Sequence, residues 1–188
     1  MIAGHFGFAA AVKSKERTTP LWALMLACQW LDVIFVPLFA AGIEKIVMIP
    51  GAKEGAYGEG VIYADYTHSL VGALVLSALL GVGLGMRYGK RSGVVIGLVS
   101  MSHWVLDLVM HRQDMPILPG NAGDLPRLGF GLWRSEVGSA AVELAFVVVG
   151  AWLYWRAARE VDAKRANTAG IVVAASGVVV LALNLAGL

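Results

Sequence analysis

The chain predicts an all-α fold: a polytopic membrane helix bundle of about five transmembrane helices, plus a short N-terminal inserted or re-entrant helix. Three observations predict it. Of 188 residues, 58% are hydrophobic and only 15% are charged, a composition outside the soluble range. Five apolar runs reach about 20 residues, the length at which a helix crosses a bilayer core. Charged residues, prolines and glycine-rich stretches punctuate the intervals between those runs. The length fits one integral membrane domain, residues 1–188, and leaves no room for a separate soluble one.

The elements follow in order. Met1 to Val12 is apolar yet too short to cross, and Lys13, Lys15 and Arg17 follow directly. It reads as a helix half-inserted from the cytoplasmic side or as an amphipathic surface helix. His5, otherwise without a partner, favours insertion. The runs of spanning length are Leu21–Gly42, Ser69–Met86, Gly93–Met110, Val137–Trp155 and Ala169–Leu188. Between the first two lies a Gly-rich loop, from Ile49-Pro50-Gly51 through Gly60. Arg87 to Arg91 is short enough for a tight helical hairpin. Pro116 through Pro126 forms a second long loop. The six tryptophans fit packing and interfacial positions.

Lysine and arginine set the expected orientation. Ten of them fall in the segment before the first run, in the Arg87–Arg91 link and after Trp155, and five fall in the two long loops. Residues 13–18 are therefore expected in the cytoplasm and the C-terminus outside, in a bacterial inner (cytoplasmic) membrane. The first residues lack the basic leader of a secretory signal. A net charge of +2 with scattered basic residues argues against nucleic acid as a partner. The single cysteine, Cys28, excludes an internal disulfide and a cysteine-rich zinc site.

Function is carried by the ionisable residues inside the apolar runs. An ionised side chain at the bilayer centre costs about 2.5 kcal/mol or more, so it is kept where it is paired, bound or used. All four histidines, His5, His68, His103 and His111, lie in or at the edge of apolar runs, in company with Asp32, Asp107 and Glu143. His103, Asp107 and His111 are spaced by four and share one helical stripe. At 1.5 Å per residue, Asp32, His103 and Asp107 lie about 17, 15 and 21 Å from the inner ends of their runs, and Glu143 about 9 Å below its outer end. Separate runs thus agree on one polar cluster between the midplane and the outer side.

Imidazole and carboxylate ligands without cysteine suit a divalent metal, with zinc foremost. The candidate ligands are His5, Asp32, His68, His103, Asp107 and His111, enough for two ions. Glu143, outside the ligand set, is the candidate general base. Plainer readings exist. Thr67-His68-Ser69 suits a helix N-cap, His-x3-Asp is a common hydrogen-bonded pair, and Asp32 and Glu143 could serve helix–helix bonding.

An apolar N-terminus with His5, Asp32 in an apolar stretch, Thr67-His68-Ser69 and Ser102-His103-x3-Asp107 form an ordered series. Over roughly Met1 to Pro119 it resembles the membrane-bound metal-dependent hydrolases that include a LexA-regulated inner-membrane hydrolase, and more distantly the zinc-dependent phospholipase C class. The resemblance implies metal binding by His5, Asp32, His68, His103 and Asp107, and hydrolase activity. The chain has Gln29-Trp30-Leu31-Asp32 where that family often carries two carboxylates, and Asp65-Tyr66 where it often carries Arg-Gly.

The expected function is metal-dependent hydrolysis of a lipid-borne or membrane-proximal ester or phosphoester, with the lipid bilayer as environment. Two alternatives stand beside it. One is a small permease or proton-coupled carrier using Asp32, Asp107 and Glu143 as a relay, which broken or Gly-interrupted helices would favour. The other is a non-catalytic subunit, as a homo-oligomer or in a membrane complex.

Overall fold

The computed structural model describes residues 1–50 and 60–186. Among these are seven α-helices: α1 (Ile2–Lys15), α2 (Leu21–Ala27), α3 (Trp30–Ala40), α4 (Leu70–Tyr88), α5 (Lys90–Met110), α6 (Glu136–Arg159) and α7 (Ala163–Ala186). Four of them, α4 to α7, are long and apolar enough to cross a membrane, and α2 with α3 makes a fifth span if the bent pair is one. The chain is a helical membrane protein.

The short first helix is inserted. With 14 residues it is about 21 Å long, too short for a core of about 30 Å. Ala3, Gly4, His5, Gly7, Ala9 and Ala10 are nevertheless all buried, because α6, α7 and α2 surround it. Lipid offers little hydrophobic drive between helices, so close van der Waals packing must hold them. At the α1–α6 crossing the backbones touch. A Cβ on Gly7 would lie 2.3 Å from the Phe146 carbonyl oxygen, and one on Gly150 would lie 2.0 Å from that of Gly7. Any larger residue separates the two helices and moves His5.

Between α4 and α5 the same device recurs, with Gly81 and Gly85 facing Gly93. The turn is made at Gly89, whose φ of 89° suits glycine alone. Ser77 donates to Ser100 across this seam at 2.8 Å. The Gly81–Gly85 stretch packs against α5 and does not break α4.

The break falls elsewhere. The expected run Leu21–Gly42 is two helices bent by 49°. Gln29 leaves helical geometry (φ −115°, ψ 7°), and its side-chain amide donates to the Ile2 carbonyl at 3.0 Å.

The basic segments meet at one end, as the lysine and arginine count requires. Arg91 at the α4–α5 turn binds Glu16 at 3.0 Å, and Arg17 binds Glu160 at the α6–α7 turn at 2.6 Å. Glu16 is buried and accepts from the Thr18 hydroxyl and from the Thr18 and Thr19 amides. These bonds, the Thr18 hydroxyl first, hold its pKa at about 2 against an ordinary 4.5.

At the other end the two long connections interlock. β1 (Lys45–Met48) and β2 (Gly60–Tyr63) pair antiparallel in a segment expected to be loop. Ile46, Val47, Val61 and Ile62 supply the β-branched residues that strands favour. The central residues of that Gly-rich loop, 51–59, lie outside the described residues. The first free amides of α4, at Leu70 and Val71, are satisfied by the Pro116 and Ile117 carbonyls at 3.0 and 3.2 Å. Arg127 grips Asp65 through both guanidinium nitrogens (2.7 and 3.1 Å) and reaches the Asp114 carbonyl at 2.8 Å.

Two outcomes are expected. Gly150→Ala should lower the thermal midpoint in detergent by an overpacking cost of about 1–3 kcal/mol, whereas Gly83→Ala, with nothing within 4 Å, should not. Equal midpoints would remove the close-contact argument. Glu16 is a carboxyl with a depressed folded-state pKa, so its contribution is full above pH 4.5 and is lost as pH falls toward 2. Glu16→Gln should therefore flatten the fall of the thermal midpoint across that window, measured by a pH series of melting curves.

Candidate metal centre

Four separate elements deliver the polar cluster. His5 comes from α1, Asp32 from the first turn of α3, His68 from the residue before the α4 N-cap, His103 and Asp107 from α5, and His111 from the α5 C-cap. His5, His68, His103, Asp107 and His111 are all buried. The i, i+4 stripe on α5 forms as its spacing predicts. The N-cap reading of Thr67-His68-Ser69 also holds, because Ser69 accepts from the Gly72 amide at 3.0 Å. That bond fixes the chain where His68 turns inward.

The decisive detail is where the imidazole hydrogens go. His103 Nδ1 lies 2.7 Å from the Cys28 carbonyl oxygen, which can only accept, so Nδ1 carries the hydrogen. The α2–α3 break leaves that carbonyl facing inward. His111 Nδ1 lies 2.9 Å from Asp114 Oδ1, again an acceptor. His68 Nδ1 lies 2.9 Å from the Thr67 hydroxyl, whose own hydrogen goes to Glu44, 2.9 Å from Oε2 and 3.1 Å from Oε1. In each neutral ring Nε2 is therefore a bare lone pair.

These bare nitrogens point at one another and at carboxylate oxygens. His68 Nε2 and His103 Nε2 are 3.3 Å apart. Asp107 Oδ2 is 3.0 Å from His103 Nε2 and 3.6 Å from both His68 and His111 Nε2. Asp32 Oδ1 is 3.4 Å from His68 and 3.6 Å from His103. Acceptors packed against acceptors in a buried site repel unless positive charge lies among them, as a bound cation or as a proton on an imidazole. The spacing also fits one. Ligand bonds of 2.0–2.1 Å around zinc give tetrahedral edges of about 3.4 Å. Among Asp32 Oδ1, His68 Nε2, His103 Nε2 and Asp107 Oδ2, five of the six separations run from 3.0 to 3.6 Å.

His5 occupies a flanking place. Its ring stacks on His103 at 3.8 Å and 16°, and its Nε2 lies 3.1 Å from Asp107 Oδ1. Its Nδ1 is buried with no hydrogen-bond partner among the described residues. Asp107 thus presents one oxygen to three imidazoles and the other to His5. Two overlapping ligand groups result, His5–His103–Asp107 and Asp32–His68–His103.

Glu143 is fully buried on α6. Its Oε2 accepts from the Gly4 amide at the start of α1 at 3.0 Å, and its Oε1 has no partner among the described residues. It stands at the α1 terminus, outside both ligand groups.

Asp32 alone opens outward, with 35% of its side chain exposed. Its neighbours on α3, Val33, Val36 and Phe39, are exposed apolar residues, so the approach to the cluster runs along an apolar helix face.

Sequence reading missed the groups that orient the imidazoles. Glu44 is fully buried and collects the Tyr66 amide, the Thr67 amide and the Thr67 hydroxyl. Asp114 holds His111 through Oδ1 and the Ile62 amide through Oδ2 at 3.0 Å. Asp114, at i+3 from His111, was the legible one; Glu44 carries no spacing signal. The Cys28 carbonyl could not be read, since backbone atoms have no identity in a sequence.

The chain is similar to a triacylglyceride transporter of Mycolicibacterium smegmatis, 28% identical over 73% of this chain and 33% of that protein. The chain spans about a third of that relative's length. No protein-family model matches it, and no solved structure matches it. None of these findings names a hydrolase.

In metal-free protein, His68, His103 and His111 should all be Nδ1–H tautomers, read from nitrogen-15 shifts of labelled histidine. An Nε2–H tautomer at His103 would contradict the acceptor-on-acceptor arrangement.

Proposed function

We propose that the chain is a membrane-embedded metal protein that acts on lipids, and that it hydrolyses a lipid-borne or membrane-proximal ester or phosphoester. The observation that carries the metal is the contact of bare imidazole nitrogens with carboxylate oxygens at the edge lengths of a tetrahedral site. Asp32, His68, His103 and Asp107 would hold the ion, with His5 and His111 as further ligands or flanking groups, and zinc fits this donor set best.

A divalent ion held there would polarise a carbonyl or phosphoryl oxygen and acidify a bound water. The chain's own residues do the rest. Thr67 with Glu44, the Cys28 carbonyl and Asp114 lock three imidazoles with Nε2 inward. Asp32, at the opening, is the carboxylate an entering ester meets first. The apolar flank of α3 suits acyl chains arriving from the bilayer. Glu143, with Oε1 uncommitted, is the carboxylate that takes a proton in this reading. The basic end would face the cytoplasm of a bacterial inner membrane, which opens the cluster toward the outer side.

The second reading is a lipid carrier, and the comparisons support it better than hydrolysis. The relative is named for triacylglyceride transport, and the bent α2–α3 pair resembles the broken spans that line carrier sites. Under this reading the cluster positions cargo or relays protons.

Metal content per chain, by elemental mass spectrometry of detergent-purified protein, should be near stoichiometric and lost in His103→Ala/Asp107→Ala. A metal-free wild type after reloading would remove the metal reading. Release of fatty acid from triacylglycerol or phospholipid in vesicles, abolished by chelation, would support hydrolysis. Chelator-insensitive movement of intact triacylglycerol between leaflets would replace it with carriage. Thr67→Val, which keeps His68 but cuts its link to Glu44, should weaken metal affinity about 10–100-fold by competition titration.

A further inference from the structure

Outside the metal centre, at the basic end of the bundle, α1, α6 and α7 enclose a cavity of about 310 Å³. Its charged lining is Lys13, Arg17 and Arg165 against one acid, Asp162. That acid caps α7, its Oδ1 accepting the Lys164 and Arg165 amides at 3.0 Å each, while its Oδ2 lies 3.4 Å from Arg165 Nε in a solvent-exposed pair that water screens. Arg17 shares its guanidinium with Glu160, but both side chains are more than half exposed, and water screens such a pair. Lys13 turns its ammonium to the Thr19 and Arg17 carbonyls at 2.7 and 3.1 Å, leaving one donor. The cavity therefore offers an excess of cationic donors.

The level of this cavity in the molecule is marked independently. Arg156 lies over the Trp152 ring at 5.8 Å and Arg159 over Trp155 at 4.8 Å, the aromatic and basic pairing of a membrane–water interface. The remaining wall is apolar, with Tyr154, Ala158 and the exposed Val161. A free phosphate needs only the cations, whereas a lipid uses both the cations and the apolar wall.

We propose that this cavity binds the phosphate group of an anionic glycerophospholipid, with Lys13, Arg17 and Arg165 on the phosphate and the acyl chains along α6 and α7. Basic pockets between membrane helices recognise anionic headgroups in this way. The site is separate from the metal centre and does not depend on its chemistry.

Native mass spectrometry of the full chain in detergent, with phosphatidylglycerol or phosphatidylcholine added, tests it. Wild-type protein should retain phosphatidylglycerol preferentially, and the preference should fall about fivefold for each guanidinium removed in Arg17→Gln and Arg165→Gln. Arg165→Gln, at a side chain 90% exposed, keeps the test valid if the double variant does not fold. Equal retention of the two lipids, or a preference unchanged in the variants, overturns the proposal. Full displacement of phosphatidylglycerol by excess inorganic phosphate assigns the site to free phosphate and overturns the lipid.

Discussion

The buried polar cluster of this structure turns on one carboxylate. Asp107 is buried with one oxygen within 3.6 Å of three imidazole nitrogens and the other 3.1 Å from a fourth. A carboxylate in hydrocarbon must be neutralised or paired, yet three of the imidazoles around it, His68, His103 and His111, direct their Nδ1 hydrogens away from it. Those hydrogens go to a carbonyl, a threonine hydroxyl and a second carboxylate. The arrangement calls for positive charge in the middle, which a bound cation or protonated imidazoles would supply. Glu44, fully buried beside the site, orients His68 through the Thr67 hydroxyl.

The scaffold serves the same point. Glycine-to-backbone contact between α1 and α6 sets the depth of His5. The broken second element supplies both Asp32 and the carbonyl that turns His103. The interlocked loops hold His68 and His111, because Pro116 and Ile117 bind the start of α4 while Asp114 binds both His111 and β2. Long loops that look like connections are therefore part of the site's wall. Catalysis and carriage make different demands on such a wall.

Much was legible from the chain alone. Four long apolar runs became α4 to α7 with edges moved by a few residues, since hydropathy and length fix a span. His5, partnerless in sequence, drew α1 inward. The candidate ligands His5, Asp32, His68, His103, Asp107 and His111 come together, because each had to escape lipid and their depths agreed. Glu143 shared that depth but stands at the start of α1, and depth alone gives no direction around a helix bundle.

The sequence by itself determined the class of molecule, its basic end and the residues that must meet, since the cost of charge in hydrocarbon acts on residue type and position along the chain. Only the tertiary structure decided how they meet. The α2–α3 bend, the β1–β2 hairpin and the choice of which imidazole nitrogen faces inward depend on backbone carbonyls and long-range partners. Hydrogen bonds of that kind, such as His103 to Cys28 or Thr67 to Glu44, link atoms whose meeting no local pattern of residues encodes.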